Sequence, residues 1–95
     1  KLRVTLPGNE TIFDDTAVST FLKTLQYIGL EKIASLTHIT ARKHPVVSTY
    51  DPDVGDIKEI NGFYIQVNTN TIQKANFLKR YAEELNVSIR VEVIE

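Results

Sequence analysis

Residues 63–93 change hydrophobic period twice, and this limits the fold more than any other feature of the chain. Phe63, Ile65 and Val67 alternate with Tyr64, Gln66 and Asn68, the two-residue period of a strand with one buried face. Ile72, Ala75, Leu78, Ala82 and Leu85 then follow the three-to-four spacing of an amphipathic helix. Val87, Ile89, Val91 and Val93 alternate with Ser88, Arg90 and Glu92, a second strand. Elements that are apolar on one side only must be layered, helix against sheet.

The N-terminal half extends the same pattern. Leu2, Val4 and Leu6 alternate with Arg3 and Thr5, and Pro7, Gly8, Asn9 and Glu10 supply turn chemistry. Thr11, Ile12 and Phe13 read as the returning strand. Asp14, Asp15 and Thr16 suit a helix N-terminus, and Val18, Phe21, Leu22, Leu25 and Ile28 follow helical spacing up to Gly29. Residues 30–36 predict a short second helix with Ile33 and Leu36 inward. Residues 37–45 lack periodicity and read as a loop. Val46 and Val47 open a short strand toward Tyr50, and "DPDVGD" (residues 51–56) reads as a polar turn. The predicted order is ββα(α)ββαβ. The expected fold is α+β: a two-layer sandwich with a mostly antiparallel sheet and helices on one face. With the short helix set aside, the last six elements match a split βαββαβ arrangement, so the fold is expected to be ferredoxin-like in part.

Ninety-five residues predict a single α+β domain, residues 1–95, with enough burial for one core without cross-links. The chain starts at Lys1 and has no Met, which suggests a piece excised from a longer chain. The absence of Cys excludes disulfides, thiol catalysis and Cys-zinc sites, and fits a reducing compartment. No apolar run approaches a membrane span and no signal-peptide pattern opens the sequence, so a cytoplasmic protein without membrane contact is expected. The net charge of −1 argues against binding nucleic acid through a large basic surface. Residues 1–44 carry six Lys/Arg against four Asp/Glu, and residues 45–95 carry five against eight, a mild asymmetry.

Three places are candidates for function. The first is the strand-to-helix junction Asn68, Thr69, Asn70 and Thr71. Asn70 is a natural N-cap. A helix N-terminus after a strand also offers free N–H groups to a phosphate or carboxylate, with Lys74 in the first turn. The glycines of a nucleotide-binding loop are missing here. The second place is Arg42, Lys43 and His44, the densest basic spot, read either as a solvated loop or as a contact for phosphate or an acidic partner. The third is the outer sheet face, where Arg3, Thr5, Tyr64, Gln66, Ser88, Arg90 and Glu92 are expected together. An aromatic among basic residues is similar to single-strand RNA platforms, but Tyr64 stands alone where such platforms use two or three aromatics.

Catalytic and metal patterns are not legible, so no enzyme and no cofactor are expected. "DPDVGDIKEING" begins like a calcium loop, yet Gly55 and Asp56 are exchanged relative to that pattern and Gly62 stands in place of the terminal Glu. His38 and His44 are six apart, the wrong spacing for one helix face. No serine lies in a nucleophile-elbow pattern. Asn9-Glu10-Thr11 and Asn86-Val87-Ser88 match glycosylation sequons, which matter only in a secreted chain.

Taken in order, "LRVTLPGNETI", "FLKTLQYIGLEKIASL", "PVVST", "GFYIQVNTNT" and "VSIRVEVIE" resemble a small bacterial C-terminal accessory module of uncharacterised function, associated with restriction and defence proteins. The resemblance covers nearly the whole chain. It implies an accessory domain and carries no functional residues with it. The resulting expectation is a non-catalytic binding module that contacts nucleic-acid backbone or another anion. The alternative is a protein-interaction or oligomerisation module that uses the open sheet face or an edge strand, through Tyr64, Arg3 and Arg90.

Overall fold

The computed structural model describes residues 1–95 and shows an α+β protein with three helices and antiparallel sheets. The elements run β1 (Leu2–Thr5), β2 (Thr11–Ile12), α1 (Ala17–Ile28), α2 (Leu30–Ala34), β3 (Thr40–Ala41) and β4 (His44–Pro45). They continue with β5 (Val47–Ser48), β6 (Ile57–Ile60), β7 (Phe63–Gln66), α3 (Thr71–Leu85) and β8 (Arg90–Val93). The chain divides into two units, Lys1–Ile28 with Asn70–Glu95, and Gly29–Thr69 between them in sequence.

The first unit is a three-stranded antiparallel sheet in the order β2-β1-β8, packed against α1 and α3. Strand β1 pairs Leu2 with Val93, Arg3 with Glu92, Val4 with Val91 and Thr5 with Arg90. The pleat sends Leu2, Val4 and Val91 inward, where they join Phe21, Leu25, Leu78 and Tyr81 in the core. Full burial of such side chains contributes about 1.5–3 kcal/mol each, which holds the helices to one face. On the opposite face, Arg3 donates from Nε and Nη2 to Glu92 at 3.2–3.3 Å. Helix α1 is capped as the sequence suggests: Thr16 Oγ1 accepts from the Ser19 N–H at 3.1 Å.

The second unit packs α2 against a sheet in the order β5-β7-β6, with β3 and β4 as a separate hairpin. Leu30, Ile33, Ile39, Val46, Val47, Ile65 and Val67 form its buried apolar set. Strands β6 and β7 pair from Ile57–Gln66 to Ile60–Phe63, so Asn61 and Gly62 make a two-residue turn. Strands β3 and β4 pair Thr40 with Pro45 and Ala41 with His44, so Arg42 and Lys43 make another.

The strands therefore lie in three sheets, where one mostly antiparallel sheet was expected. The reason lies in β7. Ile65 and Gln66 are 0% and 1% exposed, so both faces of this strand are covered and its alternation does not mark a solvated face. Residues 37–45 contain a hairpin where a loop was expected, and β6 follows the "DPDVGD" stretch where no strand was expected. No helix is long and apolar enough to cross a membrane.

Candidate functional site

The junction at residues 68–71 is first of all a helix cap. Asn70 is extended (φ −78°, ψ 173°), and its side-chain oxygen accepts from the Gln73 N–H at 2.7 Å. The Gln73 side-chain oxygen accepts in turn from the Asn70 N–H at 2.9 Å, which completes a capping box. Two donors that an anion would need are thereby occupied. Lys74 is not available to a solute either. It is 2% exposed, with Nζ 5.9 Å from the centre of the Phe21 ring, and burial pushes its ammonium below the ordinary lysine range. Its expected role in an anion site is corrected on that ground. Helical spacing places position 74 on the inner face next to Ala75 and Leu78.

Arg42 and Lys43 are exposed at the tip of the β3–β4 hairpin. Both have left-handed backbones, φ 52° and 68°, the signature of a type I′ turn. The Arg42 Nη2 group donates to the Asn68 carbonyl at 2.8 Å, so two of the expected places meet: the basic cluster and the start of the polar junction. The guanidinium lies close to Gly55, where an added Cβ would stand 3.6 Å from Arg42 Cζ and 3.3 Å from Asn68 Nδ2. Asn68, Thr69, Arg42 and Lys43 belong to the second unit, and Asn70, Thr71 and Lys74 to the first.

The hairpin is held from behind by Gln66. Its Nε2 donates to the carbonyls of Ala41, His44 and Pro45 at 2.8, 3.1 and 3.1 Å, while its Oε1 is buried without a partner. Gln66 was expected on an outer sheet face and is a core residue instead. The Gln66 amide brings its two N–H donors to a point where three carbonyls converge, which accounts for a polar residue at 1% exposure.

Tyr50, which contacts His44 next to the tip, was not singled out as a site residue by sequence. His44 Nδ1 is 3.1 Å from the Tyr50 hydroxyl, and the rings meet edge to face with centroids 6.0 Å apart. Tyr50 remains 48% exposed. The available signal was the appearance of an aromatic soon after a basic cluster. An exposed phenol bonded to the imidazole that follows the two tip cations in sequence offers a hydrogen-bonding group and a stacking surface.

The outer face expected to unite Tyr64 with Arg3 and Arg90 does not form as one sheet. Tyr64 lies on β7, between β5 and β6, whereas Arg3 and Arg90 lie on β1 and β8. Arg3 is paired with Glu92, and Arg90 Nε is 3.7 Å from the same carboxylate. No group of three or more His, Asp or Glu side chains is placed to hold a metal ion.

A polar pocket at the start of α1 is lined by Phe13, Asp14, Asp15, Thr16, Ser19 and Lys23. Asp14 accepts from Lys23 Nζ at 2.7 Å and from Ser19 Oγ at 2.5 Å. These bonds, Lys23 first, hold its carboxyl below the ordinary range. A carboxylate so stabilised is a weak base and does not activate Ser19, so the cluster anchors the helix start. No protein-family model, no curated protein and no solved structure gives a significant match to this chain.

Proposed function

We propose that this chain is a non-catalytic binding module whose contact element is the β3–β4 hairpin, with Arg42 and Lys43 reaching the phosphates of a nucleic-acid backbone. His44 and Tyr50 flank them. In this reading the chain is an accessory part of a larger bacterial protein, as the resemblance implies, and works in the cytoplasm.

One observation carries the proposal. Two adjacent cations occupy a turn whose left-handed backbone favours Asn and Gly, and the same unit uses Asn61-Gly62 for the same turn elsewhere. Non-glycine residues held in this region raise the energy of the fold by about 1–2 kcal/mol each, and such strain collects at sites of use. With two cations on a chain of net charge −1, affinity is expected to be weak, near the ~10⁻⁴ M end of non-specific binding.

The test is a titration with short single- and double-stranded DNA at several salt concentrations, comparing the native chain with Arg42→Ala, Lys43→Ala and the double variant. Each substitution should lower the slope of log affinity against log salt by about 0.7–0.9. Unchanged affinity and slope in the double variant would sink the proposal.

A further inference from the structure

The geometry points to β8 as a self-pairing edge, through which two copies of this chain join their first-unit sheets about a two-fold axis centred on Val91. Strand β8 is bonded to β1 on one side and ends the sheet on the other.

The backbone sets which residues can bond outward. Lys1 and Ile94 exchange both backbone hydrogen bonds, each at 2.8 Å. Such closely bonded pairs alternate along an antiparallel ladder, so Glu92 and Arg90 also direct their N–H and C=O groups to β1. Val91 and Val93 therefore direct theirs to the open edge, together with Ile89 just before the strand. A second copy can bond there only in registers that join odd positions to odd positions.

Charge then selects among those registers. Joining Ile89 to Val91 of the second copy sets Arg90 against Arg90. Joining Val91 to Val93 sets Glu92 against Glu92. Centring on Val91 joins Val91 to Val91 and Ile89 to Val93, and sets Arg90 opposite Glu92 twice. In that register Arg90 and Glu92 form the non-hydrogen-bonded pair, where side chains approach most closely. All apolar residues fall on one face and all charged residues on the other.

The surface agrees with this arrangement. Arg90 has a side chain 75% exposed, held only at 3.7 Å from its own Glu92. Val93 is 41% exposed and Ile72 62% exposed, and both line a shallow groove with Lys1 and Ile94 at this end of the strand. Ile89 of the second copy lands beside Val93 and covers part of that apolar surface. Charges usually protect edge strands from pairing. Here the alternation of sign repels in two registers and attracts in the third, as an isologous contact requires.

The experiment is sedimentation of the whole chain from micromolar to millimolar concentration, with folding checked by circular dichroism. The native chain should shift from monomer to dimer across that range. Arg90→Glu and Glu92→Arg should each weaken self-association at least about tenfold, because each sets like charges opposite one another twice. An equal mixture of the two variants should restore a dimer, since every cross-strand pair is then Glu against Arg. Should Glu92→Arg fail to fold after losing Arg3, Arg90→Gln serves instead, and should weaken association less than Arg90→Glu. A native chain that stays monomeric throughout would overturn the inference. So would a dimer indifferent to Arg90→Glu, or one that the mixture fails to restore. None of these outcomes depends on whether the hairpin binds DNA.

Discussion

The two-residue hairpins of the second unit solve one geometric problem in two ways. At Asn61-Gly62 the backbone reaches φ 52° and 82° with residues that accept such values at low energy, between strands of four residues each. At Arg42-Lys43 it reaches φ 52° and 68° with residues that resist them, between strands of two. The first hairpin is locally self-consistent. The second depends on outside help, from Gln66 through three carbonyls and from Asn68 through Arg42. A turn supported in this way indicates that the side chains at its tip, rather than its backbone, are what it maintains.

Four substitutions test that contrast. The largest effect is expected for Gln66→Leu. It strands three carbonyls against an apolar group and should lower stability by about 2–4 kcal/mol in urea unfolding. Amide exchange should rise first around residues 41–45, while residues 57–66 stay more protected. Uniform loss of protection would remove the distinction between the hairpins.

Gly62→Ala comes next. An added Cβ meets nothing within 4 Å, so the expected loss of about 1–2 kcal/mol is purely conformational. Lys43→Gly should act in the opposite sense, raising stability by about 1 kcal/mol while lowering DNA affinity. A loss of stability there would mean that Lys43 makes a stabilising contact and is not strained. The smallest effect is expected for Arg42→Lys, about 0.5–1 kcal/mol for the exposed bond to Asn68. DNA affinity should change little if a point charge suffices. A fall as large as that of Arg42→Ala would show that the planar fork is needed.

The strongly periodic elements were legible from composition and spacing alone: β1, α1, β7, α3 and β8, with Asn70 as the cap of α3. The β3–β4 hairpin was not, because Arg-Lys carries no turn signal and the strands are too short to alternate. Strand β6 was overlooked although Asn61-Gly62 announces a hairpin. Gln66 and Lys74 were read as outward because polarity usually means exposure, and each is buried for a reason outside its own segment. Sheet partition was hidden for a similar reason, since β1 finds its partner 89 residues away.

That last pairing also bears on how the chain reaches its structure. The second unit, Gly29–Thr69, is continuous and rests on near-neighbour hairpins. The first unit needs β1 and β8, which stand at opposite ends of the sequence. Closing so long a loop is entropically slow compared with forming a hairpin. During synthesis, β1 emerges before β8, and its edge away from β2 stays open until β8 follows. The open edge of β1 is a site for misassociation until β8 docks, and covering Leu2 and Val4 during that interval should speed the route to the native state.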